Sequence, residues 1–315
     1  MEMILIDQTR LDVGYRDEVC KNLEQGDILL LSPTPFIPTE EDCTFLREQR
    51  QTSGVSHKNI AYKPHLDKIT GVNAENTKDS ARLHTILSKY SFGAVQTLSE
   101  LFPRYAAAWK VDYASFRPVE EQGRDLPLHH RNDLMHLDAF PTRPTHGGRI
   151  LRAFTNIHPS RDRIWGIADP FEVIANKYAV DAGLHDVTGF VSVLKRSVER
   201  TGRRIGLKLP DRSPYDEFML RFHHYLKANV EFQRDGEKQQ AVFPPGSTWI
   251  SFTDQVAHKA LSGQYALEQT CIIPYQSQLL PDNAPVAVLE RLAGRKLVSS
   301  QPPLLANDGS KRAHA

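Results

Sequence analysis

Two groups of short, β-rich runs lie on either side of a helical block, and a chain built this way must return to the same β core after the detour. Residues 109–116 and 149–157 read as strands before the block; 240–243, 248–252 and 264–274 read as strands after it. Gly147-Gly148 and Pro244-Pro245-Gly246 are turn signals between them. The block, about 170–230, contains helical stretches at 170–180, where Pro170 suits a helix start, at 187–200 and at 214–230. Upstream, a short helix at 18–25 stops at Gly26 before a strand at 27–31, and Thr39-Glu40-Glu41-Asp42 resembles a capping box opening a helix to about 49. Leu83, Ile86 and Leu87, then Val95, Leu98, Leu101 and Phe102, fall at helical spacing and predict helices over 77–89 and 92–102. A last helix is expected at 284–293. The expectation is a mainly β protein with helices. A mixed helical and strand region, 1–105, packs on a β core, 106–295, that carries the helical insertion, and 296–315 form a disordered tail.

Bulk properties exclude several classes. The 315 residues suffice for one large domain or two small ones, and the net charge of +1 gives no overall attraction to nucleic acid. Any cationic site must be a local cluster. Cys20, Cys43 and Cys271 form no CxxC pair, which argues against a zinc knuckle or disulfide framework and fits a reducing compartment. The N-terminus, MEMILIDQTR, lacks the features of a signal peptide, and the apolar run at 28–31 is far too short to cross a bilayer. The chain is expected to be soluble or at most peripheral.

The tripeptide His-Leu-Asp occurs twice, at His65-Leu66-Asp67 and at His136-Leu137-Asp138. In an extended segment residues i and i+2 share a face, so such a His and Asp can bind one ion together. A second His from another strand completes a facial triad, and the coordination positions left open suit Fe(II) holding a bidentate keto acid and O2. His136 is followed by Ala139-Phe140-Pro141, the Gly147-Gly148 turn and a strand; far downstream Ser251-Phe252-Thr253-Asp254-Gln255-Val256-Ala257-His258 precedes Gly263 and a last strand. This order resembles that of double-stranded β-helix (jelly-roll, cupin-like) oxygenases, with His136, Asp138 and His258 as ligands. His65-Leu66-Asp67 follows Lys63-Pro64 without a matching turn and strand, and reads as a loop. His129-His130 and His223-His224 are adjacent pairs and poor chelates; His223 and His224 are expected on a helix as structural residues.

The distal carboxylate of 2-oxoglutarate needs a fixed cation. Many oxygenases of this architecture place an Arg shortly after the distal His, where this chain has Gln264 and no Arg or Lys between Lys259 and Pro274. Another arrangement uses the strand after HxD. Alternation there groups Ile150, Arg152, Phe154 and Asn156 on one face and Arg149, Leu151, Ala153 and Thr155 on the other. Both faces are apolar enough that the pattern leaves the inner one open. Arg152 is preferred over Arg149 because Asn156, on its face, could also serve the keto acid.

Residues 136–152, HLDAFPTRPTHGGRILR, with Phe154-Thr155-Asn156-Ile157-His158-Pro159 and Arg163-Ile164-Trp165, resemble the 3-deoxy-D-manno-oct-2-ulosonic acid (Kdo) hydroxylases of Gram-negative bacteria, as does the layout of 20–295. The resemblance implies an enzyme that hydroxylates the 3-position of the outer Kdo sugar of Kdo2-lipid A, consuming O2 and 2-oxoglutarate with ascorbate as supporting reductant. It implies Fe(II) held by His136, Asp138 and His258. An anionic glycolipid calls for cations at the mouth, and Arg143, His146, Arg161, Arg163 and Trp165, close to the iron motif, are candidates together with Lys58 and the neighbouring Tyr62-Lys63. The protein would be cytoplasmic, touching the inner membrane transiently, with no nucleic-acid partner. The alternatives are a 2-oxoglutarate oxygenase acting on another substrate, protein or small molecule, and a cupin-like, non-oxidative sugar-binding metalloprotein.

Overall fold

The computed structural model describes residues 1–50, 59–72, 77–189, 192, 196–199, 201–202, 206–207, 209 and 211–299. Two sheets dominate. The larger has eight strands in the order β1 (Met3–Leu5), β2 (Ile28–Leu31), β9 (Thr248–Phe252), β6 (Arg149–Asn156), β11 (Ala266–Ile273), β5 (Lys110–Arg117), β3 (Ile60–Lys63) and β4 (Lys68–Thr70). The smaller has β10 (His258–Ser262), β7 (Arg163–Ile167) and β8 (Gln239–Phe243). Every pairing is antiparallel except β1 with β2. Residues 1–105 thus supply both edges of the sheet whose centre comes from 106–295.

Aromatic packing joins the sheets. Phe154 and Trp249 of the large sheet meet Trp165 and Phe243 of the small one in one buried cluster, with Phe243 stacked on Trp249 at 4.2 Å. This is jelly-roll packing of two open sheets, with no closed barrel among the described residues. The other face of the large sheet is covered by α1 (Val13–Gln25), α3 (Thr77–Leu101) and α4 (Pro103–Ala106), whose Val19, Leu23, Leu98, Leu101 and Tyr105 pack on Leu151, Ala153, Ile250 and Phe252. α2 (Glu40–Glu48) adds Cys43 and Leu46 to a neighbouring cluster. Local sequence sets these helices: Asp12 accepts from the Tyr15 amide to open α1, Gly26 at φ 99° closes it, and Thr39 accepts from the Asp42 amide to open α2.

Covered on both faces, β6, β9 and β11 are buried at every position. One sequence expectation is corrected here. The two helices expected over 77–89 and 92–102 are one continuous helix. The polar groups near the expected break are satisfied from the sheet: Ser91 donates to Gln269 at 2.7 Å and the Tyr90 hydroxyl meets that of Thr155 at 3.0 Å. Gly93 is there for close packing, since a Cβ would stand 2.8 Å from that of Phe36.

The insertion provides α5 (Phe171–Tyr178), α6 (Pro214–Ala228) and α7 (Val230–Asp235), joined by α8 (Pro285–Ala293) near the C-terminus. Ser213 and Asp216 form a capping box at the start of α6. Phe218, Phe222 and Leu226 of α6 pack with Met135 and Leu137, which anchors the segment carrying His136 and Asp138. Much of the expected helix at 187–200, and residues 300–315 of the expected tail, lie outside the described residues. Among those described, no helix is long and apolar enough to cross a membrane.

Candidate metal centre and substrate cleft

Leu137 is fully buried in the helical cluster, and alternation turns His136 and Asp138 the opposite way. His136 and His258 form an antiparallel bridge in which each amide donates to the other's carbonyl, at 3.0 and 2.9 Å. Asp138 is tied to the Thr253 carbonyl at 2.8 Å through its amide. Backbone hydrogen bonds therefore hold three distant positions side by side, and one candidate ligand atom from each lies within 4.8 Å of the others. His136 Nδ1 donates to the Leu134 carbonyl at 2.7 Å, and His258 Nδ1 donates to that of Val256 at 2.8 Å. These bonds fix the tautomer and leave both Nε2 atoms as lone-pair donors for a metal.

Electrostatics agree with that assignment. Burial, with the positive charge of Lys227, holds His136 well below the usual imidazole range, and burial lowers His258 too, so both rings are neutral. Burial alone would raise the Asp138 carboxyl, but the Arg152 guanidinium pulls it far below the usual carboxylate range. Its Oδ2 is buried without a hydrogen-bond partner, although Arg152 Nη1 lies 3.2 Å away. A buried carboxylate oxygen in that state fits a bound cation.

A small cavity adjoins the triad, and Arg117, Arg152 and Arg163 line it. Each faces carboxylates: Arg152 stands 3.4 Å from Glu268, Arg117 2.7 Å from Glu268 and 3.1 Å from Glu121, and Arg163 4.0 Å from Glu121. Burial opposes ionisation of Glu268 and Glu121, but these arginines outweigh it and keep both carboxyls below their ordinary range. The Nε atoms of Arg152 and Arg163 are buried without partners, donors available to an anion. Trp165 lies flat on His258, with centroids 4.3 Å apart, and fixes that ring from behind.

A second, larger space shares His136, Asp138 and Arg152 with the cavity and opens outward. Lys63, Arg117, Arg143, Arg152 and Lys227 line it with Asp138; Arg117 and Arg152 face Glu268 and Arg143 faces Asp112, and the two lysines add positive charge that suits an anion. Arg143 sits over the Tyr113 and Phe140 rings and pairs with Asp112. His129, His130, His223 and His224 also line this cleft.

Several expected site residues are elsewhere. Arg149 is on the helix-covered face of β6, fully buried, held by Asp254 at 3.0 Å and by Gln255, over the Phe252 ring. Asn156 spends its amide on the Arg161 and Phe243 carbonyls and its oxygen on the His158 amide, which organises a turn. Gln264 bridges the Pro118 carbonyl and Arg161. His146 is at φ 51° in the turn, 3.7 Å from Asp216, and exposed Arg161 contacts His158; neither lines the cleft. Arg163 and Trp165, expected at the mouth, are 3% and 2% exposed and belong to the inner cavity. Lys58 lies outside the described residues. Sequence reasoning missed Arg117, Glu121 and Glu268; His223 and His224 are on a helix as expected, and that helix places both along the cleft. Alternation along a recognised β7 would have put Arg163 and Trp165 on one inward face; nothing local marks Arg117.

A family model described as 3-deoxy-D-manno-oct-2-ulosonic acid (Kdo) hydroxylase matches residues 7–296. Among solved structures, the chain is similar to the Kdo hydroxylase KdoO, a non-haem Fe(II) α-ketoglutarate-dependent dioxygenase, in complex with α-ketoglutarate and Fe(III): 31% identity over 96% of this chain and 99% of that one, TM-score 0.80. The cobalt(II) complex of KdoO matches at 32% identity, over 95% and 98% of the chains, and its apo form at 32%, over 96% and 99%, both with TM-score 0.80. No curated protein sequence matches the chain.

Proposed function

The chain belongs to the Kdo hydroxylase family, and from that premise we propose that it hydroxylates the 3-position of the outer Kdo sugar of Kdo2-lipid A. It is a 2-oxoglutarate-dependent, non-haem Fe(II) dioxygenase. That excludes the non-oxidative sugar-binding alternative. Sugar C–H, O2 and 2-oxoglutarate give sugar C–OH, succinate and CO2. The observation that carries the reading is the continuity of a two-His, one-carboxylate triad with a cleft lined by Lys63, Arg117, Arg143, Arg152 and Lys227.

In this reading His136, Asp138 and His258 hold the iron, and Arg152 anchors the distal carboxylate of the co-substrate, with Arg163 and Arg117 beside it. The charges suit this. Three guanidinium groups face three carboxylates, Asp138, Glu268 and Glu121, and a divalent cation with a dianionic keto acid adds no net charge. Bound Fe(II), chelated by the keto acid, supplies the O2 activation that oxidises an unactivated C–H bond. The residues do the rest. The Trp165 ring and the backbone bridge hold His258 and His136 at fixed angles, and the aromatic wall of Phe154 and Trp165 limits water in the cavity. Lys63, Arg143 and Lys227 in the cleft receive sugar carboxylates and lipid phosphates. The reaction would be run at the cytoplasmic face of the inner membrane of a Gram-negative bacterium, where a lipid-linked sugar is presented.

Expression in a host that makes Kdo2-lipid A without this modification tests the proposal. The lipid should gain one oxygen atom, placed on the outer Kdo by fragmentation. Purified enzyme should form succinate with a strong boost from that lipid; succinate formation indifferent to the lipid would point to another substrate.

A further inference from the structure

His223, on α6, has one ring nitrogen spoken for and the other turned to the cleft. Its Nδ1 donates to the Leu137 carbonyl at 2.6 Å, the carbonyl between His136 and Asp138. That bond puts the ring proton on Nδ1 and makes Nε2 a lone-pair acceptor. Among the described residues Nε2 has no hydrogen-bond partner, and His223 lines the cleft beside His136, the two rings meeting edge-to-face at 5.1 Å. The cleft cations Lys63, Arg143 and Lys227 can only donate, and of the cleft's His129, His130, His223 and His224 it is His223 whose ring packs against a candidate metal ligand among the described residues. A neutral acceptor at this point, next to the metal ligands, is matched to a hydroxyl and not to a carboxylate or phosphate.

We propose that His223 Nε2 accepts a hydrogen bond from the substrate hydroxyl adjacent to the CH2 that is oxidised, and so decides which carbon faces the metal. This rests on the sugar-hydroxylase reading above. The cations would bring the anionic lipid to the cleft, and His223 would set the register of the ring within it. Misplacement of the C–H bond by an ångström is enough to cost a large part of the rate.

Two amide variants separate the ring's two tasks. Asn reproduces the Nδ1 donor but not an acceptor at the Nε2 position; Gln reaches the Nε2 position but loses the Nδ1 donor. His223→Asn should form the same visible Fe(II)–2-oxoglutarate chelate as wild type under anaerobic conditions. With Kdo2-lipid A its kcat/KM should fall about 10- to 100-fold, and hydroxylated lipid per succinate should drop below the wild-type ratio. His223→Gln should keep the wild-type ratio better than His223→Asn. If His223→Asn couples succinate to product as wild type does, the inference is overturned. If His223→Asn loses the chelate, or Gln couples worse than Asn, His223 serves only to hold the ligand segment and the inference is again overturned. Wild-type enzyme that never oxidises the lipid would instead fell the underlying reading, and this inference with it.

Discussion

The same three residues, His-Leu-Asp, occur in two places and do different things. At 65–67 they form a tight turn: Pro64–Leu66 is a 3-10 turn, Asp67 sits at φ 49°, and its carboxylate takes the Tyr62 hydroxyl at 3.0 Å and His84 at 2.7 Å. Leu66 is 53% exposed and His65 stacks on Tyr113. At 136–138 the segment is extended, Leu137 is buried, and the two polar side chains face a cavity where His258 waits. Both aspartates are held below the ordinary carboxylate range, for opposite reasons. Asp67 is stabilised by the Tyr62 and His84 hydrogen bonds in the open, whereas Asp138 is pulled down by Arg152 against a burial that would raise it. Whether the tripeptide can offer two ligand atoms to one ion is decided by backbone geometry and environment, not by its sequence.

The largest contrast should come from the first histidines. His136→Ala should reduce turnover by at least about 10³-fold, whereas His65→Ala should stay within about twofold of wild type; a turnover assay with matched iron loading checks this. A second pair sharpens the same lesson on one strand. Arg152→Ala should raise the 2-oxoglutarate KM by about 10²-fold, because a charged acceptor loses its partner, and should also destabilise the fold, because buried Asp138 and Glu268 lose their neighbouring charge. Arg149→Ala should leave KM unchanged but destabilise the fold by about 3–5 kcal/mol in urea unfolding, since buried Asp254 is left uncompensated. Trp165→Leu, which removes the plate behind His258, should weaken Fe(II) affinity about 10-fold, as judged by metal titration.

The smallest effects concern acid. A carboxyl whose folded pKa lies below its unfolded value stabilises the fold above the unfolded value, near pH 4, and loses that contribution as pH falls. Asp138 is such a group in the metal-free protein. Asp138→Asn should therefore flatten the fall in apoprotein melting temperature between about pH 5 and 3. Asp67→Asn, on an exposed side chain, should change that slope much less.

Why parts of this were legible follows from the same physics. The i, i+2 spacing of His136 and Asp138 and the strand after the Gly147-Gly148 turn survive as sequence patterns because the segment is extended. The choice between Arg149 and Arg152 was not legible: helices cover one face of β6 and the small sheet the other, so both rows are buried and apolar. Ile60–Lys63, Arg163–Ile167 and His258–Ser262 are strands of four or five residues, too short for a periodic signal, and Trp165 and Arg163 were misplaced with them. Arg117 joins the site only through β5 pairing with β11, which brings it to Glu268 from 151 residues away. Gln264 and Asn156 looked available in sequence because their backbone partners are created by the fold.

Anaerobic addition of Fe(II) and 2-oxoglutarate, followed by visible absorption, tests most directly whether the ion sits at 136, 138 and 258. One coloured chelate per chain is expected for wild type and for His65→Ala, and none for His136→Ala or His258→Ala in folded protein. A chelate that persists without His136, or that disappears with His65, would contradict the account.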